Sequence, residues 1–340
     1  MGSSPLLARF SLDLHWPTTD PFLFCAHHHD RYPKGDGALA PAAPLTGREL
    51  GQDFAGKDGW RMYHGQRVPG FPQHPHRGFE TITIVKRGFC DHADSLGAKA
   101  RFGAGDVQWV TAGRGIVHSE MFPLLRVDAD NPLELFQLWL NLPRAHKMVE
   151  PCFTMQWREQ VPTRTVTDDA GRRTVVTVVA GTFDDTRALA PPPHSYATKP
   201  ESDVAVWLLS LEAGARVRVP RALVARERAL YLYGGGGAQL AGERIANGTG
   251  LRLRADVEVE LVAGPEPCEA LLLQGAPLGE PVVQYGPFVM STTGEIEAAF
   301  RDYRATRFGG WPFDDDDPVH GLSPRRFARH PDGREEHPPD

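Results

Sequence analysis

Short runs in which apolar and polar residues alternate recur along the chain, and they constrain its fold more than any other feature. The clearest run is LRLRADVEVELV, residues 251–262, in which Leu and Val share one parity and Arg, Asp and Glu the other. Successive side chains of a β-strand point to opposite faces, so this run predicts a strand with one buried and one solvated face. Because 35 Gly and 30 Pro are spread between such runs, we expect an all-β protein, a sandwich or barrel of short strands.

Eight further segments of similar character are predicted as strands. They are residues 79–86, 106–111, 115–122, 134–142, 173–180, 204–212, 229–233 and 269–274. The strands fall into two halves, and the length of 340 residues also suggests two domains. We expect an N-terminal domain over residues 1–150, with a long surface loop over 27–59, and a C-terminal domain over residues 151–308.

One helix is predicted, near residues 294–306. Thr292 and Glu295 form a capping box at its start, and apolar residues then recur at helical spacing. The chain beyond it is charged and rich in proline, with no apolar periodicity. Residues 309–340 are therefore expected to form a disordered tail.

Composition narrows the class of protein. The net charge of −6 argues against a surface that binds nucleic acid directly, because such a surface needs a basic face. The four cysteines are far apart and form no CxxC pair, so neither a disulfide framework nor a zinc knuckle is indicated. The first apolar run is broken at Arg9 and Asp13, which makes a poor signal peptide, and no apolar stretch is long enough to span a bilayer. We expect a cytoplasmic protein with no membrane partner.

Two motifs place histidine and glutamate at the spacing of metal ligands. HPHRGFETITIV contains His74 and His76, and GRGIVHSEMF contains His118 and Glu120. In each pair the two residues are i and i+2, so on a strand both point to the face that carries the apolar residues of the same run. A single pair of this kind more often marks a strand end near water, but two pairs predict a metal site. Three imidazoles and one carboxylate suit iron, manganese, copper, nickel or zinc.

Other histidines are weaker candidates. The run at 27–29 resembles a metal cluster, yet adjacent residues of a strand alternate faces, so a surface loop is favoured and a contribution to the rim of the site is the alternative. His64 and His92 lie near the motifs; hydrogen-bonded structural residues are favoured, and a place in the lining of the cavity is the alternative. Residues 204–286 contain no histidine. The C-terminal domain is therefore expected to hold no metal site of this type.

These motifs, together with three others, resemble the pirin family of the cupin superfamily. The segments that carry the resemblance are FPQHPHRGFET, GDVQWVTAGRGIVHSEM, LFQLWLNLP, KMVEP and EPVVQYGPFVM, spread over most of residues 60–308. The resemblance implies a bicupin, two β-barrels face to face, with a single Fe ion in the N-terminal barrel and a metal-free C-terminal barrel. The ligands that it implies are His74, His76, His118 and Glu120. Most cupins instead use a glutamate at the position of Glu80, so Glu80 is the alternative carboxylate.

The resemblance also implies two classes of function. Some pirins are quercetin 2,3-dioxygenases, which cleave a flavonol with O₂ and release CO. Others are non-enzymatic regulators whose iron redox state alters binding to a transcription factor or an enzyme. With one Fe(II) per chain, or another divalent transition metal, the site could bind the deprotonated 3-hydroxyl of a flavonol-like aromatic substrate, and Glu120 could accept the proton as a general base. We favour the dioxygenase and keep the regulator, with a protein partner, as the alternative hypothesis.

Overall fold

Short β-strands are the main regular structure in the described part of the protein. The computed structural model describes residues 4–222 and 226–339, and in that part of the chain one α-helix accompanies the strands. The helix, α1, spans Thr293–Thr306 and begins with the predicted capping box of Thr292 and Glu295. In chain order the strands are β1 (Leu6–Ser11), β2 (His15–Trp16), β3 (Phe22–Tyr32), β4 (Gly70–His76), β5 (Phe79–Arg87), β6 (Phe89–Asp94), β7 (Lys99–Gly103), β8 (Val107–Thr111), β9 (Ile116–Met121), β10 (Asn131–Asn141), β11 (Cys152–Gln156), β12 (Thr163–Thr167), β13 (Arg173–Ala180), β14 (Thr182–Phe183), β15 (Thr186–Arg187), β16 (Ala205–Leu211), β17 (Arg216–Val219), β18 (Glu227–Gly235), β19 (Ala238–Leu240), β20 (Glu243–Ile245), β21 (Thr249–Arg254), β22 (Val259–Ala263), β23 (Cys268–Gly275), β24 (Val283–Tyr285), β25 (Phe288–Met290), β26 (Phe327–Arg329) and β27 (Glu335–Glu336). The predicted all-β fold with a short C-terminal helix is confirmed.

The chain divides into two compact units. The first consists of the residues up to 26 together with 138–141 and 160–279. Its strands form a seven-stranded sheet in the order β1-β21-β18-β23-β16-β13-β12 and a four-stranded sheet in the order β17-β22-β19-β20. The interior of this unit is a cluster of buried aliphatic and aromatic side chains, with Trp207 and Phe183 among the largest.

The second unit consists of residues 27–137, 142–159 and 280 onwards. Two sheets supply its strands: one in which β11, β8, β5, β10 and β3 follow one another, and one in the order β27-β26-β7-β6-β9-β4. Strands from the C-terminal end of the chain thus join strands from its N-terminal half, since β26 and β27 extend a sheet otherwise made of residues 70–121. Both histidine motifs lie in this second sheet.

Each of the eight predicted strand segments coincides with an observed strand to within a few residues. The run 251–262 differs, because it contains two strands that belong to different sheets, β21 and β22. The bend between them is marked by an ion pair between Arg254 Nη2 and Asp256 Oδ2 at 2.7 Å. The alternation of polarity continues through the bend, so periodicity alone could not reveal the break.

Two segments that were expected to lack regular structure contain strands. The predicted loop over 27–59 begins later than expected, because β3 continues to Tyr32 with every second side chain buried. The expectation of a disordered tail over 309–340 is wrong for β26, which pairs with β7 and buries Ala328 completely. Hydrogen bonds between strands and ion pairs hold this part of the chain in place. A prediction from apolar periodicity cannot detect either kind of contact.

Two further observations bear on the sequence expectations. All four cysteines are free thiols, as their spacing suggested. Among the described residues, no helix is both long and apolar enough to cross a membrane.

Candidate metal centre

The two histidine motifs lie on neighbouring antiparallel strands, β4 and β9. In their register His74 lies opposite His118, and Phe71 lies opposite Glu120. Between these two pairs β4 contains one residue more than β9, which is a β-bulge, a feature that re-aims side chains. His76 follows His74 on the same face. The ligand atoms of the three imidazoles lie within 4.8 Å of one another, so the structure brings together the three histidines that the sequence singled out.

The three imidazoles have the properties of metal ligands. His76 and His118 are buried, with 4% and 0% exposure, and His74 is half-buried. His74 Nδ1 donates a hydrogen bond to the carbonyl oxygen of Pro72 at 2.9 Å, which leaves Nε2 with its lone pair. Neither ring nitrogen of His118 has a hydrogen-bond partner among the described residues. A buried polar atom in this state is costly unless a ligand satisfies it, so the residues present fit a bound metal ion.

The electrostatics of the cluster favour neutral imidazoles. Burial lowers the pKa of His74, and the nearby Glu120 carboxylate offsets only part of this effect. Burial places the pKa of His76 and of His118 well below the usual value, and the neighbouring His74 lowers both further. Neutral imidazole is the form that binds a metal.

Glu120 lies beside the three histidines and is held by two neutral donors. Its Oε1 accepts a hydrogen bond from Thr83 Oγ1 at 3.0 Å, and its Oε2 accepts one from Gln137 Nε2 at 2.7 Å. The same Oε2 lies 3.7 Å from His118 Nε2. The carboxylate is therefore oriented, buried and next to the imidazole cluster, where it could serve either as a fourth ligand or as a proton acceptor.

The structure places Glu80, the alternative carboxylate, away from this arrangement. Its side chain accepts a hydrogen bond from Thr111 Oγ1 at 2.7 Å. If the alternation continued through Gly78, Glu80 would share the face of His74 and His76, and Thr83 would lie on the opposite face. Gly78, with φ of +87°, instead separates the two strands and breaks the alternation. The face of β5 that meets Glu120 is consequently the one that carries Thr83.

Two of the residues that hold Glu120 were missed in the sequence. Thr83 was missed because its parity was assigned to the opposite face. Gln137 left a signal, since it is an amide between the apolar residues Phe136 and Leu138 of β10. A polar side chain in such a position needs a buried partner, and here the partner is the Glu120 carboxylate.

The remaining histidines take other roles. His92 is fully buried, with Nε2 3.1 Å from Asp94 Oδ2 and its ring 5.5 Å from that of His118. His28, within the run at 27–29, has Nδ1 2.8 Å from the hydroxyl of Tyr63.

His64 is exposed, and its Nδ1 donates to a backbone carbonyl. Its ring belongs to a rim of aromatic side chains around His74.

That rim is formed by side chains from the loop before β4 and from β4 itself. The ring of Phe71 lies 6.3 Å from the ring of His74 and 5.6 Å from that of His64. Phe54 packs against His64 with 5.1 Å between ring centroids and is 37% exposed. The half-buried side of the imidazole cluster is therefore bordered by aromatic surface.

Each unit is built of short strands in two sheets, and the second unit carries three clustered histidines on two neighbouring strands. These features define a cupin protein with two cupin domains. Residues 45–140 match the model of the family Pirin, and residues 206–309 match the Pirin C-terminal cupin domain. The chain belongs to the pirin family.

Individual relatives agree with this assignment. A protein of Pseudomonas aeruginosa named "Putative quercetin 2,3-dioxygenase" is 40% identical over 240 residues, which cover 70% of this chain and 79% of that protein. Rattus norvegicus pirin is 33% identical over 255 residues, covering 73% of this chain and 80% of pirin. The fold is similar to the crystal structure of a quercetin 2,3-dioxygenase from Acinetobacter baumannii, with a TM-score of 0.70 and 25% identity over 90% of this chain and 98% of that one.

Proposed function

We propose that this protein is a metal-dependent dioxygenase of the quercetin 2,3-dioxygenase type that acts on flavonol-like aromatic substrates. The observation that carries the proposal is the convergence of three imidazoles, two of them buried, beside an oriented carboxylate. The names of the relatives in Pseudomonas aeruginosa and Acinetobacter baumannii support the reaction class.

In this proposal His74, His76, His118 and Glu120 hold one metal ion, taken to be Fe(II), with other divalent transition metals as alternatives. When bound there, a metal of this kind would supply Lewis acidity toward the 3-hydroxyl of a flavonol. The protein contributes the fixed direction of the imidazoles. His74 is held by its hydrogen bond to Pro72, and burial keeps water away from His76 and His118.

Glu120 is the proposed proton acceptor for the substrate hydroxyl. Its Oε2 is the oxygen nearest to the imidazoles, and the amide of Gln137 holds that oxygen in place. A base must lie within hydrogen-bond reach of the proton it takes, and the two hydrogen bonds to Glu120 fix the direction of its carboxylate.

The aromatic rim supports the proposed class of substrate. Phe71 and Phe54 present ring surface beside the half-buried His74. A planar aromatic molecule can stack on or contact such rings edge to face, with a gain beyond the burial of area alone.

Aerobic turnover of quercetin tests the proposal. Protein reconstituted with Fe(II) is expected to consume O₂, bleach the visible absorbance of quercetin and release CO. The apo protein and His118→Ala should show none of these three changes. A flavone that lacks the 3-hydroxyl should not be converted. The enzyme proposal would be contradicted if the protein, loaded with each of several metals and retaining one per chain, takes up no O₂. That result would favour the iron-dependent regulator. Its partner would then be sought by comparing binding to the Fe(II) and Fe(III) forms.

A further inference from the structure

We propose that residues 311–329, termed the C-terminal strap, position the metal-bearing strands of the second unit and so tune metal binding. The strap would act by holding the β-bulge that aims His74 and by backing the strands that carry His92 and Glu120. This inference rests on the metal site proposed above. The match to the Pirin C-terminal cupin domain ends at residue 309, before the strap begins.

The first contact is at the bulge of β4. The register between β4 and β9 shifts between Phe71 and His74, where β4 has its extra residue. Within this irregular stretch the backbone N–H of Gln73 donates to the carbonyl oxygen of Asp316 at 2.7 Å. The side-chain amide of Gln73 also donates to the carboxylate of Asp316.

This pair of hydrogen bonds has a consequence for His74. A bulge leaves backbone groups outside the ladder, and it is stable only if they find other partners. The strap supplies such a partner to the residue directly before His74. The carbonyl of Pro72, in the same bulge, accepts the hydrogen bond of His74 Nδ1. Holding the bulge therefore holds the imidazole.

The second contact lies behind the sheet. Residues opposite each other on paired strands share a face, so His92 and Glu120 face one side, and Asp91 and Met121 face the other. Arg101 and Asp91 form a fully buried ion pair on that other side, with an Nη2–Oδ2 distance of 2.6 Å.

The strap covers this ion pair. Arg101 Nη1 donates to the carbonyl oxygen of Gly321 at 2.7 Å, and the backbone N–H of His320 donates to Asp91 Oδ2 at 2.8 Å. The ring of His320 donates from Nε2 to the carbonyl oxygen of His92 at 2.8 Å. The strap is thus hydrogen-bonded to the backbone of His92, whose ring faces that of His118.

Apolar contacts hold the strap in place. Val319 packs against a small cluster of buried side chains, Leu39, Val68 and Met121. Met121 is the neighbour of Glu120 on β9. Further along, Phe327–Arg329 adds a strand to the sheet beside β7. The strap therefore touches β4, β6, β7 and β9, every long strand of the sheet that carries the imidazoles.

The test uses the full chain and Co(II), whose visible absorption bands report ligand number and geometry. Apo protein is titrated with Co(II) for the wild type, for Val319→Asp, and for the double variant Gln73→Ala, Asp316→Ala. Val319→Asp puts a charge into the apolar contact and should release the strap. Leu322→Asp is the matched control, because Leu322 belongs to the strap but is 55% exposed.

Val319→Asp is expected to bind Co(II) about tenfold more weakly, as when a group that orients a ligand is lost, and with altered bands. The double variant should show a smaller loss in the same direction, with an apo melting temperature close to that of the wild type. Leu322→Asp should match the wild type in affinity and spectrum. The unchanged apo stability of the double variant separates positioning of His74 from general unfolding.

Wild-type affinity and spectrum in both Val319→Asp and the double variant would overturn the role of the strap while leaving the metal site intact. If Val319→Asp does not fold, the double variant decides alone, since both of its positions are accessible to solvent. Failure of the wild type itself to take up Co(II) would overturn the proposed metal site and this inference with it.

Discussion

At the scale of single residues, two buried glutamates of the second unit have different surroundings. Glu120 lies 3.7 Å from an imidazole of the cluster, whereas Glu80 bonds to Thr111. We expect Glu120→Gln to weaken metal binding about tenfold or more, because it replaces a carboxylate beside three imidazoles with an amide, a poorer metal ligand. Glu80→Gln should leave metal affinity near that of the wild type. Titration of both apo variants with the same metal checks this, and the reverse order would indicate that Glu80 is the ligand.

The three histidines could be predicted from sequence because i and i+2 spacing survives in any strand. The choice of Thr83 as a partner of Glu120 could not be predicted with the same ease. It depends on Gly78, whose positive φ interrupts the strand. As a result, the face of β5 that meets Glu120 is not the face that continued alternation from His76 would give. A sequence indicates that a glycine permits such a turn, but not that the turn is made.

At the scale of elements, the turn between β4 and β5 requires glycine. A Cβ on Gly78 would overlap the carbonyl oxygen of Val289, and φ is +87°. Gly97 has the same φ of +87° but no atom near its Cβ position. We expect Gly97→Ala to cost about 1 kcal/mol through backbone strain alone. Gly78→Ala should cost markedly more, about 3 kcal/mol or above. Urea denaturation of the two variants compares them, and equal losses would show that the clash at Gly78 relaxes.

Lys147 links the same turn to β25. It is buried, and its Nζ donates to the carbonyl oxygens of Gly78 at 2.8 Å and Val289 at 3.2 Å. Burial lowers its pKa from 10.5 to about 8, although Glu280 and Glu295 oppose the shift.

This pKa predicts a pH dependence of stability. Between pH 8 and 10.5 the unfolded chain binds the proton of Lys147 more strongly than the folded chain does, so the free energy of unfolding rises with pH. Below pH 8 both states are protonated and the cost of burial is constant. Relative to Lys147→Met, which cannot titrate, the wild type should gain up to about 3 kcal/mol from pH 8 to 10.5. Parallel pH profiles of the two proteins in urea denaturation would contradict the lowered pKa.

At the scale of the whole molecule, the end of the chain belongs to the fold of the second unit. Arg326 Nη1 lies 2.6 Å from Asp106 Oδ1, its Nη2 lies 2.6 Å from Glu159 Oε1, and Ala328 is fully buried. Truncation after Gly310 would expose the edge of β7 and remove these contacts. We expect the melting temperature to fall by about 5 °C or more. Removal of residues 338–340 alone is the control, and an unchanged melting temperature after the longer truncation would show that the tail is dispensable.

The all-β architecture could be predicted because alternation is local and survives in almost every strand. The order of strands within the sheets, and the return of β26 to a sheet of the N-terminal half, depend on contacts between residues more than 200 positions apart. Such contacts rest on ion pairs and ladder hydrogen bonds, for which a polar and proline-rich segment gives no periodic signal. The tail was therefore the element that sequence analysis described least well.

Elemental analysis shows whether the three histidines of β4 and β9 form one metal centre. Purified wild type should contain about one transition metal per chain, and His74→Ala, His76→Ala and His118→Ala should each lose it or hold it weakly, because each removes one direct ligand. His64→Ala is the control and should keep the metal, since His64 is exposed and bonds to a backbone carbonyl. About two metals per chain, or full retention in His118→Ala, would contradict the account.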